Sequence, residues 1–402
     1  MLNHTIRDAE LSGKKILIRV DYNVPINSEG KIEDDTRIQE TLPTLNFILG
    51  KGGSLILMSH LGRPKGKPDA KYSLHPISKH LERLLGRRVQ FSEDCIGDKA
   101  KALAQGLPPG EVLLLENVRF HAEEEKNDPA FAKELASLGD LFVNDAFGSA
   151  HRSHASTVGI TQFLPSFAGF LLEKEVQVLS HLLENPNRPY FLVLGGAKVS
   201  DKIGVLKQLI EKVDQVLIGG GMAFTFLKAK DWKIGGSLVE EGQLLAVNQM
   251  LALYSDKIKL PVDCVAAPSL KSPEQNKVAA LGKEINEIDS LQGLDIGPET
   301  TALFSNLIRQ QKPATLFWNG PMGVFELPEF SRGTLEIGKV LADRAEKGGE
   351  VVVGGGDSIS ALKQLGLAQK MTHLSTGGGA SLEFLEGKSL PGITCLSHHF
   401  IK

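Results

Sequence analysis

The sequence predicts a soluble α/β protein of two domains. Three observations carry that reading. The chain has 402 residues, enough for two ordinary cores. Short apolar, β-branched-rich runs alternate with segments of helical period, the mark of βα units. An Asn/Pro cluster, Asn185-Pro186-Asn187-Arg188-Pro189, interrupts the pattern near the middle and is the strongest boundary signal. Composition agrees, with 42% hydrophobic and 23% charged residues. A net charge of -3 gives no support for nonspecific nucleic-acid binding. The cysteines Cys95, Cys264 and Cys395 are scattered, which argues against a disulfide framework or a zinc site and fits a reducing, cytoplasmic setting. The polar stretch Met1 to Lys15 lacks a signal-peptide pattern, and no apolar run reaches bilayer length. No membrane or nucleic-acid partner is therefore expected.

In the first half, Lys15 to Val20 reads as a strand and delivers Asp21-Tyr22-Asn23-Val24-Pro25. Polar residues just past strand C-termini are where open α/β sheets bind ligands. Asp34-Asp35-Thr36-Arg37 precedes a helical pattern running to Leu49, with Pro43 in or near its first turn. Ser54 to Met58 is a second buried strand, followed by Ser59-His60-Leu61-Gly62-Arg63-Pro64 and a helix from about Pro76 to Leu85. Val112 to Leu115 delivers Glu116-Asn117-Val118-Arg119-Phe120. The run Glu123-Glu124-Glu125-Lys126 reads as a solvated loop without chemistry. Asp128-Pro129 opens a helix closed by Gly139. Leu141 to Asn144 is a strand leading to Asp145 and on to Arg152. Arg37, His60 with Arg63, Arg119 and Arg152 are thus expected at one edge of a parallel sheet. Each alone is more simply read as a surface ion-pair partner. Together they suit a small ligand of several negative charges, since guanidinium matches carboxylate and phosphate in a bidentate way.

Phe170 to Leu183 has helical period and leads to the Asn/Pro cluster. Strands follow at Tyr190 to Leu194, Gln215 to Ile218, Thr315 to Trp318, Val351 to Val353 and His373 to Thr376. Four glycine-rich corners punctuate this half: Gly195-Gly196-Ala197-Lys198, Gly219-Gly220-Gly221-Met222, Gly354-Gly355-Gly356-Asp357 and Gly377-Gly378-Gly379-Ala380. A strand–glycine–helix corner aims amide donors and a helix dipole at an anion. Asp357 and Ser358 occupy the expected N-cap, and Asp357 is also a candidate metal ligand. One such corner alone is equally a tight turn. Lys198 and Lys202 would share a helix face, reaching phosphates or forming an ordinary charged surface. No P-loop is present, because Leu382 stands where the first glycine before Gly387-Lys388-Ser389 belongs. No corner completes G-x-G-x-x-G, as Phe224 and Ile359 fill the last position.

The strings from Asp21 to Pro25, Asp35 to Ile38, Ser59 to Pro64, Glu116 to Phe120, Val143 to Gly148 and His151 to Ser156 resemble the phosphoglycerate kinase family. So do Gly195 to Lys202, Gly219 to Phe226, Trp318 to Glu326, Gly354 to Ser358 and Ser375 to Ser381, in family order over nearly the whole chain. Tyr22 stands where Phe is common, and Ser358 where Thr is common. The resemblance implies two Rossmann-like lobes, each a parallel sheet flanked by helices, joined by a hinge helix. The implied bounds are 1–170 for the acid-binding lobe, 171–187 for the hinge and 188–387 for the Mg-nucleotide lobe. The tail 388–402 would pack back on the first lobe. Carried over position by position, Asp21, Asn23, Arg37, His60, Arg63, Arg119 and Arg152 would bind the three-carbon acid. Lys198, Lys202, Gly219, Gly293, Glu326, Gly354, Gly355, Gly356, Asp357 and Ser358 would bind the nucleotide, with Asp357 on Mg2+. Arg37, Lys202, Gly378 and Gly379 would serve the transfer itself.

The implied reaction is reversible phosphoryl transfer from 1,3-bisphosphoglycerate to ADP, carried out by a monomer on small-molecule substrates. In the ATP-consuming direction the nucleophile is a carboxylate, already ionised, so no general base is expected. Positioning and charge neutralisation carry the reaction. Two other readings stay open at this level: a nicotinamide-dependent dehydrogenase, which the missing fingerprint disfavours, and a non-catalytic protein retaining the fold.

Overall fold

The computed structural model describes residues 4–397. The chain divides into two units, one running to Val178 and taking in the chain from Lys388 on, the other spanning Leu179–Gly387. The division falls within the helix Phe170–Glu184.

The first unit is built on six strands: β1 (Lys15–Val20), β2 (Ser54–Met58), β3 (Val89–Ser92), β4 (Val112–Leu115), β5 (Leu141–Asp145) and β6 (Ser166–Ala168). They form one sheet in the order β3-β4-β2-β1-β5-β6, and every pairing is parallel. Helices cover both faces, so strand residues on both sides are buried and the runs are almost continuously apolar. Ile16, Ile18, Val20, Leu55, Leu57, Leu114 and Val143 pack with the helix residues Ile38, Leu45, Ile48, Ile77 and Leu81. Arg19 breaks this pattern: it lies on β1 with 0% exposure. Because all strands run the same way, β1, β2, β4 and β5 release their following residues at one edge.

Two expectations for this unit are corrected. The helical pattern through Leu49 is two helices, Thr36–Gln39 and Leu42–Gly50. Thr41 turns inward, its hydroxyl donating to the Ile38 carbonyl at 2.7 Å, and Pro43 opens the second helix where its missing N–H costs nothing. The run from Glu123 to Lys126 is not simply a solvated loop: Ala122–Glu125 is helical and Glu124 is completely buried. Of the chain's tail, Gly392 donates to the Ala150 carbonyl at 2.8 Å, and its own carbonyl accepts from the Asn144 side chain at 2.9 Å. Residues 398–402 of the expected tail lie outside the described residues.

The second unit contains β7 (Tyr190–Leu194), β8 (Gln215–Ile218), β9 (Ile258–Lys259), β10 (Asp263–Ala267), β11 (Lys277–Ala280) and β12 (Gln292–Ile296). They are followed by β13 (Thr315–Asn319), β14 (Glu350–Gly354) and β15 (His373–Leu374). Six of these form a parallel sheet in the order β15-β14-β13-β7-β8-β9. Its core joins Phe191, Val193, Leu316, Trp318, Val351 and Val353 to Phe304, Ile308, Ile337 and Leu341 from the covering helices. A small antiparallel sheet, β11-β10-β12, adds to this unit and was not foreseen from the sequence. Its strands are short, and Ala and Asp, which carry little strand signal, outnumber their β-branched residues. Among the described residues, no helix is long and apolar enough to cross a membrane.

Candidate active site

At the strand-exit edge of the first unit, side chains bind one another into a connected array. Arg37 reaches back from its short helix, Nη1 donating to the Asn23 carbonyl at 3.0 Å and lying 3.3 Å from Asp21 Oδ1. Arg37 is therefore not delivered directly by a strand end, as expected, but by the helix Thr36–Gln39. The Asn23 side-chain oxygen accepts from Gly62 N–H at 2.9 Å, and Arg119 Nη1 donates to the Gly62 carbonyl at 3.1 Å. These contacts tie the segments after β1, β2 and β4 into one frame. Arg152 lies close enough to Arg119 and His154 for its charge to act on both. Arg63 is exposed, and so is Asn23.

Behind this frame lies a buried polar layer. Arg19 Nη2 meets His60 Nδ1 at 3.0 Å, its Nε donates to Ser156 Oγ at 2.8 Å, and its Nη1 donates to the Val20 carbonyl. Ser156 Oγ and N–H both donate to Glu124, at 2.6 and 2.8 Å. Glu124 sits 3.7 Å from His154 Nδ1. Burial first, then the charges of Arg19, Arg119 and Arg37, holds the proton affinity of His60 well below that of a free imidazole. Burial and the neighbouring arginines Arg119, Arg19 and Arg152 push His154 down to about 4. Burial, with the added repulsion of Arg19, lowers Arg119 to about 10. Glu124 is raised by burial even though Arg19 and Ser156 favour its charged form. The layer is rich in cations, and burial together with those charges disfavours protonation of its histidines.

In the second unit the four glycine corners divide into two kinds. At three strand exits the glycines let backbones touch. A Cβ on Gly195 would come within 2.2 Å of the Pro321 carbonyl oxygen, one on Gly220 within 2.6 Å of Gly196 N, and one on Gly320 within 2.2 Å of the Gly195 carbonyl oxygen. Their amides bond inward: Gly196 N to Pro321 O at 2.8 Å, Gly220 N to Met322 O at 3.0 Å and Gly219 N to Leu194 O at 2.8 Å. These corners are a packed junction of β7, β8 and β13. Gly356, Gly378 and Gly379 differ, because an added Cβ on any of them would meet nothing within 4 Å.

Asp357 stands exposed in the first turn of the helix Gly356–Gln364, whose N-cap is Gly355 at φ 91. Asp357 and Ser358 are therefore not the cap expected from the sequence. A left-handed glycine makes the turn instead, two residues before Asp357. Ser358 is buried and its Oγ accepts from Gly320 N–H at 2.6 Å, pinning this corner to the β13 exit. Lys202 is half-buried and close enough to Asp357 and Asp201 for both charges to raise its proton affinity. Burial outweighs them, and the ammonium is held below the usual lysine range. Lys198 and Lys202 do not share a helix face: Lys202 is the N-cap of Ile203–Leu209, and the exposed Lys198 lies in the turn before it.

Gly293 is buried on β12, where a Cβ would come within 2.0 Å of the Phe224 ring, and its N–H donates to Ser237 Oγ at 2.9 Å. Glu326 is exposed on the segment after β13. Arg19, Glu124 and Asn319 had no role in the sequence reading. The side-chain amide of Asn319, fully buried at the end of β13, has no hydrogen-bond partner on either atom among the described residues. An arginine interrupting an apolar parallel strand is the one signal that pointed to Arg19. A surface groove of about 860 Å³ lined by Lys312, Lys339, Arg344 and Glu336 includes none of the expected site residues.

A family model described as phosphoglycerate kinase matches residues 6–388. The phosphoglycerate kinase of Moorella thermoacetica is 50% identical over 401 residues, covering 99% of this chain and 100% of that protein. That of Koribacter versatilis is 53% identical over 408 residues, covering 98% and 99%. Among solved structures, phosphoglycerate kinase from Coxiella burnetii matches with a TM-score of 0.85 at 39% identity, covering 98% of each chain. The enzyme from Pyrococcus horikoshii OT3 matches with a TM-score of 0.85 at 33% identity, again over 98% of each. With two parallel-sheet units, a basic frame in one and open glycine corners in the other, the chain belongs to the phosphoglycerate kinase family, and its reaction is the reversible transfer of a phosphoryl group from 1,3-bisphosphoglycerate to ADP, giving 3-phosphoglycerate and ATP.

Proposed function

We propose that the three-carbon acid is held by Asp21, Asn23, Arg37, His60, Arg63, Arg119 and Arg152. The observation that carries this is the frame from Arg37 through Asn23 and Gly62 to Arg119, which ties two cations to the segments that follow β1, β2 and β4. Asp21 orients Arg37 rather than meeting an anion itself. A titration of 3-phosphoglycerate against the protein and against Arg119→Ala tests it. Affinity should fall about ten- to hundredfold, the size of a lost charged hydrogen bond, and unchanged affinity would dismiss the assignment.

On the nucleotide side we assign Lys198, Lys202, Gly219, Gly293, Glu326, Gly354 to Gly356, Asp357 and Ser358. The residues fit a Mg-nucleotide: an exposed carboxylate at Asp357, amide corners open at Gly356, Gly378 and Gly379, and the unpartnered Asn319 amide at the neighbouring strand end. Mg2+ bound with the nucleotide would neutralise phosphate charge, with Asp357 holding it. Lys202, Arg37 and the amides of Gly378 and Gly379 stabilise the charge spread over the migrating phosphoryl oxygens. Gly219 and Gly293 act by giving room, since their own N–H groups are already bonded within the unit.

Direct transfer requires that water be excluded while both substrates are bound, or ATP would hydrolyse. Binding of both should therefore compact the molecule more than either alone, which small-angle scattering measures. We place the chain in the cytoplasm as a monomer, consistent with three free thiols, two of them buried. Light scattering tests the monomer, and ADP formation from ATP and phosphoglycerate with and without Mg2+ tests the metal requirement.

A further inference from the structure

His60 is 5% exposed and the side chains around it are charged on nearly every side. Arg19 faces it from β1 and Asp21 from the segment after β1. Arg37 acts from the helix Thr36–Gln39, Arg119 from the segment after β4, and His154 from the segment after β5. Only one of these makes a hydrogen bond to the ring: Arg19 Nη2, 3.0 Å from Nδ1. A guanidinium has five N–H donors and no acceptor. Nδ1 must therefore present its lone pair, and the ring proton must sit on Nε2. The Asp21 carboxylate, 4.0 Å from the same nitrogen, is beyond hydrogen-bond reach.

Arg19 can hold that position because its own nitrogens are satisfied. Nε donates to Ser156, Nη1 donates to the Val20 carbonyl, and the Ser156 hydroxyl donates a hydrogen bond to the fully buried Glu124. The carboxylate balances a guanidinium of 0% exposure that would otherwise be costly to bury. We propose that Arg19, anchored through Ser156 to Glu124, is a positioning residue that locks His60 as its Nε2–H tautomer, giving the acid site a hydrogen-bond donor of constant form. The inference rests on His60 belonging to the acid site, as argued above. It gives Glu124 a function at one remove: it fixes Arg19, which fixes the ring. It also removes His60 from consideration as a proton carrier, in keeping with a reaction that needs no general base.

The test uses the whole chain labelled with 15N-histidine, with His60→Asn supplying the assignment. The expected spectrum has His60 Nδ1 in the unprotonated range and Nε2 in the protonated range, without titration, from about pH 5 to about pH 8. The double variant R19M/E124Q removes donor and counter-ion together, which avoids leaving either charge buried alone. In it the ring should titrate within that window. The ratio of its KM for 3-phosphoglycerate to that of the wild type should rise about tenfold from the acid to the alkaline end, while kcat changes much less. Taking the ratio cancels the ionisation of the substrate's own phosphate. A charged His60 or an Nδ1–H tautomer in the wild type overturns the proposal, as does a KM ratio flat with pH in a folded double variant. If that variant does not fold, the wild-type spectrum alone decides. Unchanged KM in His60→Ala would overturn the acid-site role instead, a failure distinct from a wrong tautomer.

Discussion

The two units offer an anion different parts of the residue. In the first they are side chains: Arg37 and Arg119 are held by backbone carbonyls of Asn23 and Gly62, and His60 is backed by the buried Arg19, itself tied through Ser156 to Glu124. In the second, the backbone is brought forward: at Gly356, Gly378 and Gly379 open space stands where a side chain would begin. A side-chain array can be tuned, since each cation lowers its neighbours' proton affinity, as at His154 and Arg119. An amide corner does not titrate, but it tolerates no intrusion. Cationic side chains suit an acid of several charges, and amide corners suit phosphates that must be approached closely.

The sharpest way to break this comparison is at Lys202, a half-buried cation of the second unit that stands near Asp357. Lys202→Ala should cut turnover roughly 10²–10³-fold with nucleotide affinity less affected. Steady-state kinetics on the purified variant decide it, and near-normal turnover would leave the lysine without a role in transfer.

Next in size is a pair of glycines. Gly320→Ala would set a methyl against the Gly195 carbonyl at φ +97 and should destabilise the second unit by about 3 kcal/mol or more. Gly379→Ala meets nothing, so its melting temperature should stay near wild type while turnover falls as the methyl intrudes on the phosphate corner. Equal loss of stability in both variants would erase the distinction drawn here.

On the side-chain unit, Arg152→Ala should raise KM for 3-phosphoglycerate about tenfold and leave kcat closer to normal. A KM unmoved by the change would take Arg152 out of the array.

The smallest effect concerns pH. Burial raises Asp295 to about 7, although it accepts from Gly333 N–H at 2.7 Å and Ile296 N–H at 2.9 Å. A carboxyl whose folded pKa lies above its unfolded one binds more protons when folded. Its contribution is therefore lost as pH rises from about 4 to about 7, and is constant above. Asp295→Asn should lower stability overall yet flatten that slope, as urea unfolding at several pH values would reveal. An unchanged slope would mean that Asp295 ionises normally in the fold.

Much of the frame was readable in advance. Lys15–Val20, Ser54–Met58, Tyr190–Leu194 and Gln215–Ile218 are strands with the predicted bounds, because doubly covered parallel strands leave continuous apolar runs. The helix after Asp34 was misread because the Thr41 back-bond that breaks it is a choice of rotamer. Glu124 was misread because Glu-Glu-Glu-Lys looks solvated whichever glutamate faces inward, and its partner Ser156 lies 32 residues away. The glycine corners were recognised, but nothing local distinguishes Gly320, which admits another backbone, from Gly379, which opens outward.

The order of residues by itself determined the longer strands of the two parallel sheets and the residue types gathered at their ends, since period and turn chemistry are local properties. Tertiary structure alone decided which of those groups are spent on one another and which are left for a ligand. That depends on distances across the chain, such as Arg19 to His60 and Gly195 to Gly320, which no stretch of sequence contains.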